Sequence, residues 1–153
     1  MRTITTICLL FALGTSNVNA GEFDPEAFAR TYFQAWTATQ SPTATEADIE
    51  AYLSLLTDDV GHQHLPYDPD DSRAPDGKQK MREGMNYYRG AHTEYTGTLT
   101  GTSFGYNVIV IQYDSFSKGM HPQTGQEVES RRSTLEVLEI EDAKVSVIRK
   151  YSE

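Results

Sequence analysis

The sequence predicts an α+β fold: three helices, then a strongly curved, mainly antiparallel sheet on which they pack. Two observations carry this. Helical spacing of apolar residues is confined to the stretch between Asp24 and Tyr88, interrupted by one short strand. Beyond Gly90 the pattern changes to strand-like alternation and stays so to the end. Helices grouped ahead of strands, rather than alternating with them, segregate to one face of an antiparallel sheet.

The first twenty residues stand apart from that fold. Arg2 supplies a basic start, Ile4 to Leu13 a short apolar run, and Val18-Asn19-Ala20 the residues that a signal peptidase reads. A cut after Ala20 is expected, leaving residues 21–153 as one domain of a secreted or periplasmic protein. The apolar run is too short to span a membrane comfortably. The single cysteine, Cys8, lies in this segment without a lipoprotein signature. The mature chain therefore has no thiol, which excludes disulfides and thiolate chemistry. A formal net charge of -9 argues against nucleic acid and against an anionic membrane as partners of the mature form.

Each element has a local cause. Asp24-Pro25-Glu26 caps and starts the first helix, and Phe28, Tyr32, Phe33 and Trp36 give it a broad aromatic face. After a polar loop, Thr45 caps a second helix with the stripe Ile49, Tyr52, Leu53, Leu56, ending near Thr57-Asp58. A short strand follows with His62 and His64 two residues apart, so both rings share a face. Pro66 to Asp76 holds three prolines and four aspartates and reads as an acidic loop, long enough for a lid. Asp76 is expected to cap a third helix, Lys78 to Tyr88. Long strands are expected at His92–Phe104 with bends at Gly97 and Gly101, then Val108–Phe116, Glu127–Ile140 and Val145–Tyr151. Val108 and Val110 alternate with Ile109 and Ile111, and Leu135 and Val137 with Leu138 and Ile140, so both sheet faces are apolar. Helices cover only one face, so a homodimer through the outer face is expected.

Leu56-Thr57-Asp58-Asp59-Val60, the alternating His62 and His64, Gly77-Lys78, and the run Leu135 to Val145 occur in the order found in one superfamily. Over residues 24–151 the chain resembles the nuclear transport factor 2-like superfamily, and within it the SnoaL-like group. The resemblance implies a cone-shaped fold enclosing a cavity between sheet and helices. It also implies a domain that binds a small molecule or catalyses cofactor-free acid/base chemistry of isomerase, cyclase or dehydratase type. Relatives place a large and an acidic residue two apart on the short strand, facing the cavity. His62 and His64 match those positions, so a carboxylate base is replaced here by imidazole.

His62 and His64 are the first candidates for catalysis, because imidazole titrates near neutral pH. Asp114, in an apolar strand, is the remaining carboxylate candidate if it points inward. Tyr32, Trp36, Tyr88 and Tyr113 are candidate ligand contacts, as polar-tipped aromatics on the expected cavity wall. Arg131 and Arg132 are strand neighbours, so one faces inward and can meet an anion. Arg131 is the candidate ligand contact, and sequence alone does not set the phase. The histidine pair can converge on a metal, with His92 or His121 as a third ligand, but nothing fixes that third position and no metal is assigned. No nucleophile elbow, P-loop or dinucleotide fingerprint occurs, so no cofactor is implied. The expected function is binding of a small apolar or aromatic ligand in the cone; the alternative is a non-catalytic dimeric interaction module.

Overall fold

The computed structural model describes residues 23–153, so the expected leader and Cys8 lie outside the described residues. Helix α1, Pro25–Thr39, starts as expected, with the Asp24 carboxylate accepting the N–H groups of Glu26 and Ala27. Helix α2, Glu46–Leu53, opens with a reciprocal capping box between Thr45 and Asp48. Strand β1, Leu56–Leu65, follows at once. The helix was expected to reach Thr57-Asp58, but it is capped at Ser54, and these two residues lie in the irregular stretch of β1 between the paired Leu56 and Gly61. Leu56 is fully buried beside Val145, whose N–H donates to the Leu55 carbonyl.

Helix α3, Gly77–Tyr88, begins one residue before the expected Lys78. Asp76 precedes it but makes no side-chain cap hydrogen bond. Its backbone is not in the extended conformation that aims a capping carboxylate at the helix N–H groups, and the side chain pairs with Lys80 instead, at 3.0 Å. Strands β2 (His92–Gly105), β3 (Val108–Met120), β4 (Glu127–Glu141) and β5 (Lys144–Ser152) form an antiparallel meander. β3 outruns the expected end at Phe116, because Ser117 to Met120 pair with β4. A register shift falls between Leu99 and Gly101, as the second glycine suggested. Gly97 keeps register and instead leaves room for the Phe33 ring.

The sheet is open and mixed, in the order β1-β5-β4-β3-β2, with β1 parallel to β5. Alternation assigns the faces. Ile109, Ile111 and Tyr113 of β3 and Leu138 and Ile140 of β4 point inward. There they pack against Tyr32, Phe33, Ile49, Tyr52 and Leu53 of α1 and α2. Helix α3 fully buries none of its residues and rests on this core only through Met81 and Met85. Val108, Val110, Leu135 and Val137 face the other way and stay partly open.

Candidate functional site

The inward row of β4 runs Thr134, Glu136, Leu138, Ile140, so a carboxylate lies in the middle of the core, 2% exposed. Buried charge is costly unless paired and hydrogen-bonded, and Glu136 is both. The Tyr113 hydroxyl donates to Oε1 at 2.7 Å, the Tyr32 hydroxyl to Oε2 at 3.1 Å, and Lys150 Nζ lies 3.3 Å from Oε1. Tyr32 and Tyr52 hydroxyls are 2.9 Å apart. Tyr32 gives its one proton to Glu136, so Tyr52 is the donor in that pair. Burial, and then the nearby Glu136 charge, push the phenols of Tyr32, Tyr52 and Tyr113 far above their ordinary value. They remain neutral donors at any physiological pH.

Lys150 is placed by register, opposite Glu136 on β5. Its ammonium also sits 4.4 Å from the centre of the Trp36 ring, a cation–π contact in a sheltered setting. Across the parallel pair, His64 is level with Lys150 and His62 with Ile148. Both imidazoles therefore lie on the inner face, their rings 6.1 Å apart. His62 is exposed at the surface, although protein surrounds much of its ring. Burial lowers its pKa, with Lys150 adding to the effect and Glu136 opposing it. His64 is pushed down to about 4 by burial, then by Lys150, His62 and Arg132. Both rings are thus neutral at pH 7.

The acidic loop completes the mouth. Asp68 pairs its backbone with that of His64 in both directions at 2.8 Å, which brings Tyr67 edge-on to the His64 ring at 5.4 Å. The Tyr67 hydroxyl accepts from Arg132 Nη2 at 3.2 Å. Further on, ion pairs Arg149–Asp71, Arg73–Asp59 and Arg73–Glu141 strap the loop down. It crosses β1 at Gly61, where a Cβ would lie 2.2 Å from the Asp71 carbonyl oxygen. Among the described residues, two buried nitrogens near this mouth have no hydrogen-bond partner of good geometry: His64 Nε2 and Trp36 Nε1.

The structure thus brings together Tyr32, Trp36, His62, His64 and Tyr113. It leaves three other candidates elsewhere. Asp114 is one residue out of phase with Tyr113, so it lies exposed on the outer face, accepting from the Ser133 hydroxyl at 2.7 Å. Arg131 is also on the outer face, its guanidinium 4.4 Å from the centre of the Phe116 ring; Arg132 is the inward one. Tyr88 is exposed at the end of α3 and stacks edge-on against His121. His92 is engaged with the Gln40 carbonyl and His121 with its own loop, and among the described residues no three His, Cys, Asp or Glu side chains converge on a metal position. Sequence reading missed Glu136, Lys150 and Tyr67. Glu136 is in step with Leu138 and Ile140, and Lys150 with Ile148, so the phase of the apolar residues held the signal for both.

Two clefts open on the outer face. One of about 810 Å³ is bounded by Leu65, Gln112, Leu135 and Tyr151, and one of about 410 Å³ by Thr98, Asp114, Phe116, Arg131 and, at its edge, Arg132. Neither includes the histidines. On the inner side, Glu136 already receives three donors and is no free base. His62 is the neutral, accessible group with a proton-accepting nitrogen.

Helices on one face of a five-stranded sheet, with β1 added parallel to the end of a meander, constitute the nuclear transport factor 2-like fold. Within it the SnoaL-like group is among the structures that this chain is similar to. A SnoaL-like protein from Shewanella putrefaciens, a polyketide cyclase by assignment only, superposes with a TM-score of 0.64 at 12% identity, covering 97% of this chain and 92% of that one. An LEH-like epoxide hydrolase from M. tuberculosis gives 0.58 at 13% identity, covering 83% and 84%. A protein from Kribbella flavida, a ketosteroid isomerase by assignment only, gives 0.59 at 16%, covering 84% and 77%. No protein-family model and no curated protein sequence matches the chain.

Proposed function

We propose that this protein is an exported small-molecule-binding domain that takes an apolar or aromatic ligand at the inner mouth, between Trp36, Tyr67 and the two histidines. The observation that carries this reading is His64 Nε2, buried without a partner beside the Tyr67 ring. Buried polar atoms without partners are rare in folded proteins and call for a ligand or an ordered water. If the bound molecule reacts, neutral His62 takes a proton from it without a cofactor. The neighbouring structures described as a cyclase, an isomerase and an epoxide hydrolase are compatible with such chemistry. The test uses the neutral fluorescent probe N-phenyl-1-naphthylamine. His62→Ala and His64→Ala are each expected to weaken its binding about tenfold, the loss of one good contact. Binding by the wild type should be unchanged between pH 8 and 6.5, since both histidine pKa values are depressed. Unchanged affinity in both variants removes the histidines from the site.

A specific observation favours the second reading, a non-catalytic interaction module. The Glu136 network satisfies itself, and Val110, Leu135 and Val137 leave an apolar strip partly open on the outer face. A homodimer through that face would cover the strip. Intact mass and sedimentation of the purified mature protein read both export and assembly. A chain that starts at Gly21 and sediments as two copies is expected; an uncut monomer overturns both.

A further inference from the structure

The inner mouth holds a cation that the protein itself does not neutralise. Among the described residues three arginines are half-buried: Arg82, Arg132 and Arg149. Arg82 pairs with Glu50, and Arg149 with Asp71 and Glu139. Among the described residues Arg132 pairs with no carboxylate. Its Nε donates to the Ser130 hydroxyl at 3.0 Å and its Nη2 to the Tyr67 hydroxyl at 3.2 Å, both neutral acceptors. Of the nearby acids, Glu136 holds Lys150, and Asp68, which accepts from the Asp70 N–H at 3.1 Å, forms no ion pair with Arg132. A partly desolvated guanidinium without a counter-ion is unfavourable, and its planar fork suits a carboxylate or sulfonate. The Tyr67 ring contacts both this guanidinium and the His64 ring, whose Nε2 has no partner. All of this occurs in a chain of net charge -9, where a lone inward cation is a local inversion of the protein's field.

We infer that the ligand of the inner mouth is an organic anion whose carboxylate or sulfonate seats on Arg132, with its apolar body against Tyr67. This rests on the reading that the mouth binds a small molecule, and adds the ligand's charge. Charge-assisted hydrogen bonds are the stronger kind, so the anionic group should dominate affinity.

Two probes on one aromatic frame separate the two statements: 8-anilinonaphthalene-1-sulfonate and neutral N-phenyl-1-naphthylamine. The sulfonate is expected to bind the full mature chain about tenfold tighter. Arg132→Gln should remove that preference and leave the neutral probe unaffected. Arg131→Gln changes net charge equally on the opposite face and should change nothing, which also controls for global electrostatics. Equal binding of both probes overturns the anion assignment and leaves the binding site standing. Loss of the preference in Arg131→Gln rather than Arg132→Gln also overturns it. Failure of both probes to bind overturns the site as well.

Discussion

Replacing Glu136 with Ala is expected to destabilise the protein by about 3–5 kcal/mol, the usual cost of removing one partner of a buried ion pair. The loss is compound. Lys150 would lose its counter-ion beside the Trp36 ring, and the Tyr32 and Tyr113 hydroxyls would lose their acceptor inside the core. Urea unfolding followed by tryptophan fluorescence measures this directly, because Trp36 is the only tryptophan and lies under Lys150. A double variant, Glu136→Leu with Lys150→Met, should recover much of the loss, since apolar groups of similar volume often replace a buried pair at little cost. An unfolding midpoint for Glu136→Ala equal to that of the wild type would mean that the pair carries no stability. The network's place in function follows from the same geometry. It fixes Lys150 and the wall behind the histidines, and it leaves proton transfer to the imidazoles.

Gly61→Ala is the second large effect, a destabilisation of about 1–3 kcal/mol by forced overpacking. The new methyl would stand 2.2 Å from the Asp71 carbonyl oxygen, so the loop backbone has to move. That movement works against the Arg149–Asp71 pair and loosens Tyr67 from His64. Backbone hydrogen exchange should therefore accelerate at His64 and Asp68, whose N–H groups bond across the strand–loop junction. Gly84→Ala is the control: nothing lies within 4 Å of its added methyl, it is inside α3, and a gain of about 1 kcal/mol is expected. Equal stability of the two alanine variants would show that the loop does not press on β1.

Much of the architecture was legible because it depends on local rules. Periodicity placed three helices and four long strands, and Thr45 and Asp24 capped where side-chain chemistry said they should. Errors came where pairing partners decide. The boundary expected at Thr57-Asp58 moved back because Leu56 pairs with Val145 of β5, and β3 ran on past Phe116 because β4 was there to bond it. Half of the site was legible for the same reason. His62 and His64 share a face by the geometry of any strand, and Tyr32 and Trp36 share one by the geometry of any helix.

The sequence alone could not say which face of β3 or β4 is the inner one. In a strand with apolar residues on both sides, a shift of one residue exchanges the two faces and nothing local forbids it. Of the candidates on these strands, Asp114 and Arg131 lie on the outer face and Tyr113 on the inner one, beside Arg132 and Glu136. Only packing against α1 and α2 breaks that symmetry, by burying Ile109, Ile111, Leu138 and Ile140. The sequence by itself thus determined the elements, their order and the shared face of the two histidines. The tertiary structure decided that a buried glutamate and lysine stand behind them and that one arginine faces inward unpaired, because inside and outside exist only once the helices have docked.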